Sequence, residues 1–398
     1  MTIACALALL FTPLAQTDHG IDVYTPPSSI EHPGDRGIRA HTNHLVYVGP
    51  KRPRIFDGPG RPLTNAPILP PDGYTPEEIR DAYEVSPIGG GGAIAVVDAF
   101  HYPTSLNDFN VFSQTFNLLQ EPSTNPTASS NKVFQVVYQS SSQPASNASW
   151  AQEAALDIEW AHSMSRYAKI YLVEANSANL SDLFAAVQKA ETLPGVREIS
   201  MSFGASEFSG ERSFDSTFVK SGITFFAAAG DTAAVTQYPA LSPNVVGVGG
   251  TTLSLTSSGR VASEIAWNDT GGGLSSFEPI PSYQTVIAGI LGHFRGGPDV
   301  ALNADPNTGC AVYDSTPLQG MSGWLVVGGT SLACPCVAGI ANTSDRRFSS
   351  SALELTHIYQ GLGKNFRDIL FGSAGNNRAK AGWDFCTGVG CPLRNAGV

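Results

Sequence analysis

Gly328-Gly329-Thr330-Ser331-Leu332-Ala333-Cys334-Pro335 lies between an apolar run, Trp324–Val327, and a small apolar segment, Cys336–Ile340. The run before it reads as a buried strand and the segment after it as a packed helix. A strand, a turn of paired glycines and a helix make one step of an α/β fold. A serine at such a turn can expose its hydroxyl, and the glycines let a substrate approach the backbone. A capping Ser or Thr on a buried helix has the same local appearance, so the surrounding chain has to decide between the two.

The same alternation continues upstream. Ala93–Asp98, Ile170–Val173, Val196–Phe203, Thr224–Ala229 and Val245–Val248 read as strands. Ser149–Met164, Asn179–Glu191 and Ser213–Ser221 read as helices. This order predicts an α/β domain with a central, mainly parallel sheet flanked by helices. Ligands then gather beyond the carboxyl ends of the strands. The glycines at 89–92 precede their strand, whereas a dinucleotide-binding turn needs them after it, so that reading fails. The domain starts at Tyr74: Thr75 is a helix N-cap, Pro76 takes the first helical position, and Glu77 and Glu78 supply acids to the first turn. Residues 17–73, rich in Pro, Gly, Asp and Arg, read as a linker or a short pro-segment remnant, leaving 74–398 as the working domain.

A net charge of −11 offers no basic patch, which argues against nucleic acid as a partner. Residues 1–16 hold an apolar core, Ile3–Phe11, and a small-residue exit. This is the pattern of a secretory signal with an atypical amino-terminal region, and it is too short to span a bilayer. Export without stable membrane association is therefore expected. Cys386 and Cys391 flank a Thr-Gly-Val-Gly turn and, in an exported protein, could close a short disulfide loop. Cys334 and Cys336 point to different faces of their helix and should not pair. No histidine pattern accompanies the cysteines, so zinc is a poor fit.

Three acids stand out. Glu153 and Asp157 are four apart, so both carboxylates lie on one helix face, among alanines, leucine and isoleucine. Two like charges there favour holding one proton between them. The alternative is a solvated acidic face that includes Glu159. Asp231 ends the apolar strand Ala227-Ala228-Ala229-Gly230, where an Asp is commonly a turn former. At that place a protonated carboxyl could also donate to a developing oxyanion. A His-Gly-Thr context, which a Ser-His-Asp triad of the subtilisin kind would need, is absent from all eight histidines. Asp98, at a strand end, lacks the partner that such a triad requires.

Glu153-Ala-Ala-Leu-Asp157, Ala228-Ala-Gly-Asp231 and Gly328–Pro335 together resemble the sedolisin family, the serine-carboxyl peptidases of subtilisin-like fold. Gly271–Ser275 with Pro281–Gln284, and Arg295–Val300 with Asp305–Gly309, are similar to further segments of that family. Ser200–Gly204 resembles its S-x-S-W-G strand, with Phe203 where tryptophan is usual. The resemblance implies that Ser331 is the nucleophile and Glu153 its general base. Asp157 would orient Glu153, and Asp231 would supply the oxyanion-hole proton. It further implies one structural Ca²⁺ held by the carboxylates of Asp368 and Asp384 and the backbone carbonyls of Ile369, Lys380 and Gly382, a hard oxygen set suited to that ion. The implied protein is a secreted monomer that acts on protein or peptide substrates at acidic pH, as an endopeptidase. A tripeptidyl-type exopeptidase and a non-catalytic binding protein on the same scaffold are the alternatives.

Overall fold

The computed structural model describes residues 22–50, 72–344 and 346–398; the signal read at 1–16 lies outside them. Seven strands of the central sheet run in the order Val261–Ala266, Val246–Leu255, Thr224–Ala228, Val196–Met201, Ala93–Ala99, Lys169–Ala175 and Phe134–Tyr138. An eighth, Val300–Asn303, also pairs with Val246–Leu255. All of these pairs are parallel except the hairpin of Val246–Leu255 with Val261–Ala266. The predicted α/β architecture with a mainly parallel sheet is therefore the one observed.

The sheet is apolar on both faces, as parallel sheets are. Alternate residues of one strand serve different cores: Ile94 and Val96 pack on one side, Ala93, Ala95 and Val97 on the other. Helix Ala148–Met164 and helix Thr330–Asn342 cover the first side, and helix Leu180–Ala190 covers the second. The two helices on the first side approach closely, since a Cβ on Gly339 would lie 2.5 Å from the Met164 Cβ. The Thr75 start is a full capping box. Thr75 N donates to Glu78 Oε2 at 2.7 Å, and Glu78 N donates to Thr75 Oγ1 at 3.3 Å.

Several local expectations change. Trp324–Val327 belongs to a longer strand, Met321–Gly328, outside the central sheet; it pairs antiparallel with Cys310–Leu318 and with Leu45–Tyr47. Only its Val327 and Gly328 are buried, because Trp324 turns to a half-buried aromatic group with Phe112, Phe116 and Tyr313. The helix expected at Ser213–Ser221 is a 3-10 segment, Glu211–Phe218. Val245–Val248 is the start of a ten-residue strand, extended by its antiparallel hairpin. Cys386 and Cys391 are not bonded: the five cysteines among the described residues are free thiols. The Asp384 carboxylate ties that turn instead, accepting from Cys386 N at 2.8 Å and Thr387 N at 2.9 Å. Cys391 Sγ turns away to Glu264 Oε1 at 3.3 Å.

Residues ahead of Tyr74 add strands to the body of the domain. His41–Thr42 pairs antiparallel with Phe203–Gly204, and Leu45–Tyr47 with Val326–Gly328. Asn43 and His44 cross the gap between those two edges.

Candidate active site

Gly329, at φ 106°, turns the chain from its strand into helix Thr330–Asn342, and Ser331 is the second residue of that helix. That φ is open to glycine and strained for other residues. The Ser331 hydroxyl donates to the Ser202 carbonyl at 3.1 Å and accepts from Asn43 N, also at 3.1 Å. Ser331 N donates to the Asn43 carbonyl at 2.9 Å. The backbone of Asn43, through two successive peptide groups, thus rests directly on the serine.

Asp231 follows Gly230, itself at φ 109°, just past the strand Thr224–Ala228. Its Oδ1 accepts from Thr330 N at 2.7 Å and from Thr330 Oγ1 at 2.8 Å, which ties it to the Ser331 turn. A Cβ on Gly329 would lie 2.5 Å from Asp231 Oδ2 and closer still to the Asn43 oxygen. The carboxyl and that carbonyl therefore share the space over Gly329, and a side chain there would expel both.

Glu153 and Asp157 are fully buried, and so is Glu159, so the solvated acidic face is not what forms. Glu159 serves the other side of its helix, accepting from Tyr313 N at 3.0 Å. Asp157 Oδ1 accepts from Ser202 Oγ at 2.8 Å, and the same hydroxyl lies 3.3 Å from the Ser331 carbonyl. Ser202 thus joins helix Ala148–Met164 to helix Thr330–Asn342. Burial, and then the charges of Asp98 and Glu153, raise the Asp157 carboxyl well above the ordinary carboxylate range. Asp98 is raised in the same direction by burial and by the charges of Glu153 and Glu174. Asp98, Glu153 and Asp157 therefore form one buried acidic group, in which Asp98 and Asp157 favour holding a proton.

The expected hydrogen bond between Ser331 and Glu153 is not made. His44, fully buried, places Nδ1 against Glu153 Oε2 and Nε2 3.2 Å from Gln152 Oε1. Sequence reasoning missed His44 and set Asp98 aside for want of a triad partner. The Pro- and Gly-rich composition of residues 17–73 gave His44 no weight. Asp98 carried a usable signal, an acid near the end of a wholly buried apolar strand.

At the carboxyl-terminal loops, Asp368 Oδ2 accepts from Gly382 N at 2.9 Å, and Asp384 Oδ2 from Lys380 N at 3.1 Å. Both carboxylates thus converge on residues 380–382. Asp368 Oδ1 is buried with no hydrogen-bond partner, an oxygen that a hard cation would satisfy. Among the described residues no cluster of three or more His, Cys, Asp or Glu could hold a metal, so a cation here would draw most of its ligands from backbone carbonyls.

The model of the subtilase family, peptidase S8, matches residues 146–390, from just ahead of the Glu153 helix to beyond Asp384. The chain is 33% identical to kumamolisin from Bacillus sp. (strain MN-32) over 280 residues, 61% of this chain and 49% of that protein. It is 26% identical to sedolisin from Pseudomonas sp. (strain 101) over 361 residues, 80% of this chain and 59% of that protein. The chain belongs to the sedolisins of the subtilase family. A solved Pseudomonas sedolisin, a serine-carboxyl proteinase complexed with two molecules of pseudo-iodotyrostatin, superposes with a TM-score of 0.67 at 25% identity. The match covers 81% of this chain and 96% of that one. Tripeptidyl-peptidase 1 of Canis lupus familiaris is 26% identical over 276 residues, 60% of this chain and 48% of that protein. This sedolisin spans about half the length of the curated relatives it matches.

Proposed function

We propose that this sedolisin is a secreted, monomeric serine-carboxyl endopeptidase that hydrolyses peptide bonds at acidic pH. The observation that carries the reading is the backbone of Asn43. Its carbonyl, in the Asn43–His44 peptide, accepts from Ser331 N and lies beside Asp231 over Gly329, while its N–H, in the preceding peptide, meets the Ser331 hydroxyl. A substrate carbonyl in the same place has the nucleophile on one side and hydrogen-bond donors on the other.

In this mechanism Ser331 Oγ attacks the carbonyl carbon and its proton passes to Glu153. The oxyanion takes hydrogen bonds from Ser331 N and from the protonated Asp231 carboxyl. The tetrahedral intermediate collapses, the carbon–nitrogen bond breaks, and Glu153 returns the proton to the leaving amine. Water, deprotonated by Glu153, then releases the acyl group and frees Ser331. Asp157 and Asp98 keep a proton store behind Glu153. An imidazole base would be protonated at acidic pH, whereas a carboxylate base still functions. Residues 17–73 act as a pro-segment and linker, with His41–His44 covering the cleft and His44 occupying the base until the segment leaves. The signal at 1–16 directs export.

Hydrolysis of a defined peptide mixture between pH 3 and pH 8 tests the proposal. Activity should peak on the acidic side and fall away by neutrality, with cuts inside the peptides. Release of tripeptides alone would favour the exopeptidase reading, for which the similarity to tripeptidyl-peptidase 1 is the motive. An optimum at neutral pH would reject the carboxylate mechanism.

Asp368 and Asp384, with the carbonyls of Ile369, Lys380 and Gly382, would hold one Ca²⁺ that pins the two loops together. Ligand binding to the folded state alone raises its stability. Chelation, or Asp384→Ala, should lower the melting temperature by roughly 5 °C. Equal melting temperatures with and without calcium would remove the ion from this account.

A further inference from the structure

Asp98 and Glu174 each stand one place from the end of a buried strand, Ala93–Ala99 and Lys169–Ala175. The two strands are parallel neighbours, and Asp98 lies opposite Glu174 in their register. Neighbouring strands are about 4.8 Å apart. By the alternation of side chains, Asp98 shares a face with Ile94 and Val96, and Glu174 shares it with Ile170 and Leu172. Helix Ala148–Met164, which carries Glu153 and Asp157, packs over that face. Two carboxyls on the sheet thus sit side by side beneath two on the helix.

The fold treats the two sheet acids differently. Glu174 Oε2 lies 2.8 Å from His101 Nδ1, and its Oε1 accepts from Tyr102 N at 3.0 Å. Asp98 is equally buried, yet neither of its carboxyl oxygens has a hydrogen-bond partner. A carboxylate given an imidazole and a backbone N–H is held ionised. One given no donor is costly to ionise. The turn after strand Ala93–Ala99 builds this difference. Phe100 takes φ 68°, uncommon for a residue with a side chain, and its N–H donates to the Ala175 carbonyl at 2.8 Å. Its ring meets Trp150 of the helix edge-on. The chain is thereby swung over the neighbouring strand, where His101 and Tyr102 N both reach Glu174. The titratable groups facing the pair are Glu153 and Asp157 from the helix, with His44 against Glu153. Tyr138 of the next strand lies against His101, and the Tyr102 hydroxyl turns away to Asp108. Burial, then the charges of Glu153 and Glu174, raise Asp98. Burial also raises Glu174, but His101 and Tyr102 N pull it back.

We propose that Glu174, fixed by His101, is a positioning residue for the peptidase chemistry: its charge keeps a proton on Asp98, so that Glu153 is the acid left ionised as the base. Glu174 acts through Asp98 and not on the substrate. The role rests on the serine-carboxyl reading above.

Profiles of peptide hydrolysis against pH for the wild type, Glu174→Gln and Glu174→Asp test the role. Glutamine keeps an oxygen for Tyr102 N and an amide for His101 while removing the charge. Asp98 then ionises at lower pH, and its charge draws a proton onto Glu153. The falling limb of the profile should move acidward by about one pH unit, with kcat at the wild-type optimum lowered about tenfold and KM unchanged. Glu174→Asp keeps the charge and should keep the limb in its wild-type place. Stability reads the same change without activity. A carboxyl raised on folding costs stability as pH rises above the ordinary carboxylate range. The fall in melting temperature between pH 5 and pH 8 should therefore be shallower in Glu174→Gln. An active wild type whose limb coincides with that of Glu174→Gln would overturn the role and leave the peptidase reading standing. A wild type that hydrolyses nothing at acidic pH would defeat that reading, and this role with it.

Discussion

Ser331→Ala should lower acid peptide hydrolysis by roughly five orders of magnitude while leaving the fold in place. In the proposed mechanism the hydroxyl is the atom that bonds to the substrate carbon, and nothing nearby can replace it: Ser202 Oγ is directed to Asp157, and the Cys334 thiol is pushed up to about 12 by burial. The structural cost is small. The lost bonds are those to the Ser202 carbonyl and from Asn43 N, each worth about 1 kcal/mol net. The bond from Ser331 N to the Asn43 carbonyl survives because it is backbone. The same variant reports on the covering segment. Since the Asn43–His44 peptide is the one presented to the serine, incubating the wild type at acidic pH should yield a new amino terminus at His44, and the variant should stay intact there. Activity within tenfold of wild type in Ser331→Ala would reject Ser331 as the nucleophile.

The parts of this site written in local sequence were legible. The turn at Gly328–Ser331, the four-residue spacing of Glu153 and Asp157, and Asp231 after a run of alanines each follow from strand and helix periodicity. Periodicity places a residue on an element but does not say what will lie across from it. The crossing of Asn43 and His44 depends on two edge pairings, to Phe203–Gly204 and to Val326–Gly328, set by strands far apart in sequence. Asp98 was visible as an acid at a strand end, yet its closeness to Glu153 follows only from the order of the parallel strands and the helix packed over them. Trp324–Val327 misled for a related reason. An apolar run specifies burial of one face, and here that face meets an aromatic group at the edge rather than the central sheet.

Glu153→Gln should lower kcat by about 10⁴-fold and leave KM near its wild-type value, since the amide cannot take the serine proton. The variant separates chemistry from support because its stability should move the other way. A carboxyl whose pKa is raised on folding favours the folded state below the ordinary carboxylate range, and costs stability as pH rises above that range. Asp157 and Asp98 are both raised, and the Glu153 charge is one of the causes in each. Removing that charge lets both pKa values fall back towards ordinary, so the cost at neutral pH shrinks. Glutamine keeps an oxygen for His44 Nδ1, so that contact persists in neutral form. The expected result is an inactive protein whose melting temperature at pH 7 equals or exceeds that of the wild type. A purely supporting Glu153 would give the opposite pair, lowered stability with most of the activity retained. That outcome would move the base elsewhere in the acidic group, to Asp157 first, because Ser202 already joins it to the nucleophile helix.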